Sequence, residues 1–347
     1  MCWRRLAVLG AAATMTLGLT AAQGSLAFAA PGGGNANPST VSDRLPPPSY
    51  AEAQDSPDWV PTPVGLVYKS CVYEVPDDAS VSEDGVVSAN GIIERLPVCP
   101  YSGVIPVPRW AQVDGGPNQA ATTGEKDRGS NSGKRKGPVP YTDGWWLDSW
   151  WSSPWQITRL STTWTVPHNP ASTGALIYLF PSVEANVSPK TAAIVQPVLQ
   201  WGSGPAGGGA YWIMVNWYCP PDTSNCVHGS PVSTASGHVI NGTMTRSSGT
   251  ATDWHVGFTE NSSGASGALF VGTAYTSWPW VQGGVLEAYH VTMCSQLPGS
   301  NVTFSGIAVT SASGAVTPQF SLEKPNASCS GTVLASSNST TLGWTAK

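Results

Sequence analysis

Ile194-Val195-Gln196-Pro197-Val198-Leu199-Gln200-Trp201 and Trp212-Ile213-Met214-Val215-Asn216-Trp217-Tyr218, separated by a Gly-rich interval, decide the fold class. Both runs are short, dense in β-branched and aromatic residues, and bounded by turn formers, which is the pattern of strands. The same pattern recurs at residues 157–166, 175–180, 238–245, 253–259, 285–292 and 302–310, with Gly, Pro, Asn and Ser clusters between. From residue 141 onward no amphipathic helix longer than two turns is legible. There is no internal repeat of about 20 to 50 residues, which argues against a propeller or solenoid. Many short strands with turn signals between them predict an all-β sandwich or barrel.

Alternation along each run sorts its side chains onto two faces. Gln196, Val198 and Gln200 share one face. Pro197 removes a ladder donor and predicts an irregularity or a sheet edge. Trp212, Met214, Asn216 and Tyr218 share a mixed aromatic and polar face suited to lining a groove. Ile213, Val215 and Trp217 read as core. In Gly284-Val285-Leu286-Glu287-Ala288-Tyr289-His290-Val291 the residues Val285, Glu287, Tyr289 and Val291 lie together, opposite Leu286, Ala288 and His290. A carboxylate in mid-strand among apolar residues needs either solvent or a cleft.

The chain has 347 residues, with 16 Lys+Arg against 21 Asp+Glu, a net charge of -5. That balance excludes the basic surface on which nucleic-acid affinity depends. Of the 37 charged residues, 26 precede residue 151 and 11 follow it. Beyond residue 150 the carboxylates are therefore few: Glu184, Asp222, Asp253, Glu260, Glu287 and Glu323. Asp222, Asp253, Glu260 and Glu323 read as solvated loop charges, and Glu184 as a loop residue or a second carboxylate. No Gly-x-Ser-x-Gly is present, and no His has a Ser/Asp setting for nucleophilic catalysis.

Residues 1–29 read as a secretory signal, with basic Arg4-Arg5, an apolar stretch and the small-x-small site Ala27-Phe28-Ala29. After its removal no membrane segment is expected. Residues 30–60, rich in Pro, Gly, Ser and Asp, read as a disordered leader. Residues 61–110 read as a small β unit, residues 111–140 as a flexible linker, and residues 141–347 as the sandwich domain. Cys2 leaves with the signal. The remaining six cysteines form an even set that reads as disulfides in an oxidising compartment. Among the pairings open to them, the sequence-local set 71–99, 219–226 and 294–329 is the expectation. Their spacing does not suit a zinc site.

Taken in order, several segments resemble the glutamic peptidases, or eqolisins. These are Thr163-Trp164-Thr165-Val166-Pro167, the strand from Ile194 to Val198, Met214-Val215-Asn216-Trp217-Tyr218-Cys219, Gly237-His238-Val239-Ile240-Asn241-Gly242, and Gly284-Val285-Leu286-Glu287. The resemblance spans roughly residues 155–310. It implies a concanavalin- or lectin-like antiparallel β-sandwich preceded by a pro-like segment, and a secreted acid endopeptidase. It also implies a catalytic pair formed by Gln196 and Glu287, with Gln200 one step along the same face as the other candidate for the Gln. Trp212, Asn216, Tyr218, Gln200 and Tyr289 are then expected to bind substrate. Neither metal nor cofactor is implied, and the expected partner of the monomer is a polypeptide. Where the family has Glu in its Trp-Tyr-Glu-Trp-Tyr strand this chain has Asn216, and after the catalytic Glu it has Ala288 in place of an acid.

The competing reading is a carbohydrate-binding or polysaccharide-active protein on the same sandwich. Its basis is Trp, 16 residues in all, with Trp145, Trp146, Trp150, Trp151 and Trp155 clustered and Trp278 and Trp280 flanking Pro279. Indole faces stack on sugars, and they also fill cores.

Overall fold

The computed structural model describes residues 44–105, 143–188, 191–220, 225–247, 252–326 and 328–347. The signal at 1–29 and the linker at 111–140 lie outside them. Ahead of the second block, a single helical turn α1 (Tyr50–Ala53) precedes β1 (Trp59–Thr62), β2 (Gly65–Tyr68), β3 (Val72–Glu74), β4 (Ser80–Val81), β5 (Val86–Ala89) and β6 (Ile92–Arg95). There follow β7 (Gly144–Ser152), β8 (Ile157–Thr165), β9 (Leu176–Ser188), β10 (Thr191–Gly204), β11 (Gly207–Cys219), β12 (Cys226–His228), β13 (Val232–Thr234), β14 (Val239–Arg246), β15 (Trp254–Glu260) and β16 (Ser266–Val271). The chain ends with β17 (Trp280–Tyr289), β18 (Val302–Ser311), β19 (Gly314–Val316), β20 (Ser321–Glu323), β21 (Thr332–Ser336) and β22 (Ser339–Gly343). Among the described residues no helix is long and apolar enough to cross a membrane.

The strands form two large sheets, and the expected β-sandwich is what the chain builds. One sheet runs β20-β7-β17-β9-β10-β11-β12-β3, with β13 also on β11. The other runs β21-β22-β18-β8-β14-β15-β16-β4-β5-β6, with β19 on β18. Between them lies one continuous core, containing Trp146, Leu179, Val195, Leu199, Trp212, Met214 and Leu286 from the first sheet and Leu160, Trp164, Met244, Trp254 and Phe304 from the second. Close approach of the sheets has a local cause. Gly242 of β14 has no side chain where Pro197 and the Trp164 ring come up against it. Pro197 is thus interior and not at an edge. Its strand β10 pairs with β11 without a break from Ile194 to Trp201, but its pairing with β9 skips from Val195 to Leu199.

The first sheet is covered on its other face as well. A second apolar cluster joins Leu176, Tyr178, Phe180, Ile194, Val198, Val215, Trp217, Val285 and Tyr289 to Ala53, Trp59, Leu66, Val67 and Ile105. Residues 44–105 supply that cover. The leader and the small β unit anticipated before residue 110 therefore do not stand apart where they are described. Residues 50–53 form α1 on a Ser49/Glu52 capping box. β3 extends the first sheet through parallel pairing with β12, and β4 extends the second through parallel pairing with β16. The apolar residues of this segment are too few for a core of its own, so they complete one begun by the sandwich. The three disulfides are Cys71–Cys99, Cys219–Cys226 and Cys294–Cys329, the sequence-local set.

The β3–β12 junction carries a buried imidazole. His228 is buried, opposite Glu74 in register, with Nδ1 2.9 Å from the Gly229 carbonyl oxygen. Burial lowers the imidazole pKa, opposed by the Gly229 hydrogen bond and the Glu74 charge. A lowered folded-state pKa means that stability is fully present above the unfolded value near 6.5 and is lost as pH falls through the folded value. The melting temperature of the full chain should fall as pH drops below the free imidazole value near 6.5, and less so in His228→Gln. An equal slope in both would exclude His228 as the source.

Candidate functional site

Three strands of the first sheet, β17, β9 and β10, carry the polar residues of its outer face. Across them Glu287 is in register with Tyr178, and Tyr178 with Gln200. Further along, Gln282 is in register with Ser182. Gln196 lies near that row on β10. Glu184, Gln196, Gln200, Gln282 and Glu287 are all buried, Gln196, Gln200 and Glu287 completely. Interior amides and carboxylates at this density are costly unless hydrogen-bonded or functional.

Each has a distinct bonding state. The Gln196 Nε2 amide donates to the carbonyl of Pro63 at 3.2 Å. The Tyr289 hydroxyl lies 2.5 Å from Glu287 Oε1 and 3.1 Å from the Thr62 carbonyl oxygen; having one proton, it donates to one of them at a time. The Tyr178 hydroxyl donates to the Pro61 carbonyl at 3.0 Å. Burial first, and then the Glu287 carboxylate, raise the pKa values of Tyr178 and Tyr289 well above the usual phenol range, so both stay donors. Gln196 and the Glu287–Tyr289 pair therefore converge on consecutive peptide groups.

Gln200 is otherwise occupied. Its Nε2 donates to Gly202 O at 3.0 Å and Gly207 O at 2.9 Å, locking the β10–β11 turn. Both amide protons are spent, so it has none to offer a ligand. Glu184 belongs to a separate group, with Oε1 accepting from Gln282 Nε2 at 2.9 Å and from Ser182 Oγ at 3.2 Å. It lies in β9 and not in a loop.

The expected groove lining on β11 is corrected. Trp212 and Tyr218 belong to the core between the sheets. Asn216, also buried, approaches Gly267 of the facing sheet. It is Val215 and Trp217, read from sequence as core, that join the outer-face cluster. Tyr289 does lie at the site. Tyr178, Ser182 and Gln282 went unnoticed in the sequence, because a buried Tyr in an apolar strand gives no signal and Gly283-Gly284 interrupts the alternation that would have aligned Gln282 with Glu287.

Two other acids also have structural tasks. Glu260 is buried and clamps its own turn, accepting from Ser263 Oγ and from the backbone of Ser262 and Ser263. Those bonds, led by the Ser263 hydroxyl, hold its pKa at about 2. Glu323 accepts from Trp150 Nε1 at 2.6 Å.

Of the seven indoles weighed as sugar platforms, three are interior, Trp150, Trp151 and Trp280 are half-buried, and Trp155 is exposed. Trp278 is fully buried against Trp254, with ring centroids 5.1 Å apart, and its Nε1 donates to Tyr275 O. Trp145 and Trp146 are buried, and Trp280 is half-buried. A fully buried indole has no face left for a sugar.

The chain is similar in fold to several solved peptidases. Scytalido-glutamic peptidase, solved with a peptide-based transition state analogue, is 12% identical over 58% of this chain and 98% of its own, with a TM-score of 0.44. SCP-B, a member of the eqolisin family solved with the tripeptide Ala-Ile-His, is 13% identical over 58% and 98%, with a TM-score of 0.41. Aspergilloglutamic peptidase from Aspergillus niger is 16% identical over 49% and 98%, with a TM-score of 0.34. No family model and no curated protein matches the chain. At these distances the likeness carries no residue-level argument, and the chemistry rests on the contacts above.

Proposed function

We propose that the chain is a secreted, glutamic-type acid endopeptidase whose outer-sheet face takes an extended polypeptide. The observation that supports this best is the bond from Gln196 Nε2 to a peptide carbonyl, with the Glu287–Tyr289 pair on the carbonyl before it. In this reading the ionised Glu287 takes a proton from water, and the resulting hydroxide adds to the scissile carbon. The Gln196 amide donates to the oxygen as it gains negative charge. Glu287 then passes the proton to the departing amine as the C–N bond breaks, leaving a free acid and a free amine. Tyr289 holds the substrate backbone beside the carboxylate, and Tyr178 holds the carbonyl one residue further back. The three disulfides suit an extracellular location.

Incubation of the purified full chain with a denatured protein at about pH 4, within the carboxylate titration range, should yield fragments detectable by mass spectrometry. Gln196→Ala should lower kcat by roughly 10²–10³, the range for loss of one oxyanion donor, with a smaller change in KM. An unchanged kcat would remove Gln196 from the mechanism.

A further inference from the structure

Tyr289 and Glu287 stand two residues apart on one face of β17, and the hydroxyl of the first lies 2.5 Å from Oε1 of the second. We propose that Tyr289 is a positioning residue for the general base: its hydroxyl holds Glu287 ionised in acid and fixes the direction of its carboxylate. The proposal rests on reading Glu287 as the base of a peptidase.

Both side chains are completely buried. Burial disfavours a carboxylate, and a hydrogen bond to its charged form favours it. In a site of low dielectric that one bond counts for more than it would at the surface. An acid endopeptidase needs this contribution, because its base must stay unprotonated where free carboxyls are being titrated. Tyr289 is suited to supply it. Burial first, and then the Glu287 charge, keep the phenol from ionising, so the bond runs from hydroxyl to carboxylate.

The hydroxyl is held from three sides. β17 lies between β7 and β9. The Tyr289 ring meets the Tyr178 ring edge-on, with centroids 6.2 Å apart. The strand stops at Tyr289, because His290 turns left-handed at φ 59° and its amide donates to Asp143 Oδ1 at 2.7 Å.

A second acceptor, the Thr62 carbonyl, lies 3.1 Å from the same hydroxyl. Once Glu287 takes a proton its charge is gone, and the single phenol proton can turn to that carbonyl. The buried hydroxyl thus keeps a partner in both protonation states of Glu287, and neither state leaves it an orphan. The ionisable groups packed about Glu287 include Tyr178 on β9, Tyr50 on α1, and Asp148 on β7, which is in register with Val285. Tyr178 donates to Pro61 O and Tyr50 to Asp143, so Tyr289 is the phenol that donates to the base.

The test is Tyr289→Phe in the full chain, with every Glu carboxyl labelled with carbon-13 and its protonation followed by NMR. The Glu287 signal is the one missing from Glu287→Gln. The midpoint of Glu287 protonation should rise by roughly one to two pH units, the effect of losing one hydrogen bond to a charged group. Tyr178→Phe removes an equally buried hydroxyl that donates elsewhere, and should leave the midpoint in place. Tyr289→3-fluorotyrosine keeps the shape with a stronger donor; it should lower the midpoint, and it carries the comparison if Tyr289→Phe does not fold. In hydrolysis of denatured protein, the acid limb of kcat/KM should move up in Tyr289→Phe by the same amount as the midpoint. An unmoved midpoint, or equal shifts in Tyr289→Phe and Tyr178→Phe, would overturn the proposal, as would a raised midpoint with an unmoved acid limb. A raised midpoint with no hydrolysis even by the wild type would uphold the hold of Tyr289 on Glu287 and remove the peptidase reading.

Discussion

Glu287→Gln should lower polypeptide hydrolysis by roughly two to four orders of magnitude, the contribution expected of a positioned general base. The variant should keep its fold, because the amide is isosteric and the Tyr289 hydroxyl keeps an acceptor beside it. The informative partner is Glu184→Gln. Glu184 is also a buried carboxylate on the same face, but its Oε1 is committed to Gln282 and Ser182. Its loss should change the rate by less than about tenfold and show mainly as reduced stability, since a charge-assisted bond contributes about 1.5–3 kcal/mol. Reversed outcomes would move the general base from Glu287 to Glu184. The two acids are otherwise similar in burial and strand context, so only the pair of variants separates them.

Trp164→Ala should produce the largest loss of stability, about 3–5 kcal/mol for a buried Trp. The indole fills the space between the sheets, 5.4 Å from the Phe304 ring centroid and against Gly242. At roughly 2–4 °C per kcal/mol for a domain of this size, the melting temperature should fall by roughly 6–20 °C. Trp155→Ala is the control. Trp155 is 48% exposed, and its loss should stay within about 0.5 kcal/mol. Similar shifts in both would mean that the core of the sandwich is not where these contacts place it.

These two Trp residues also show what could be read in advance. Strand content, the sandwich and the grouping of Val285, Glu287 and Tyr289 followed from alternation, because a pleated strand leaves its side chains no other arrangement; Val291, grouped with them, instead joins the core between the sheets, since β17 ends at Tyr289 and His290 is left-handed. The faces of β11 did not. Alternation separated Trp212 from Val215 correctly, but the choice of which set faced the core assumed one wet face. Here both faces are covered, one by the second sheet and the other by residues 44–105, and a strand buried on both sides loses the contrast that tells them apart. The described part of the N-terminal stretch, residues 44–60, gives no local signal for a related reason. Ala53, Trp59 and Leu66 cannot make a core alone, and nothing local reveals that their partners lie more than a hundred residues downstream. Gln196 was legible as a polar strand residue, but its bond to Pro63 depends on tertiary contact alone.

The parallel pairing of β3 with β12 and of β4 with β16 has a consequence for solubility. Residues 44–105 pair with the last strand of the sandwich proper in both sheets. Displacing them would bare two rows of unpaired N–H and C=O groups at once. The three-residue β12 offers little to a passing chain, but β16 is twice as long and carries the partly exposed Phe270. An uncapped edge of that kind templates further strands. Protein with residues 44–105 displaced should therefore associate through β16 at concentrations where the intact chain does not.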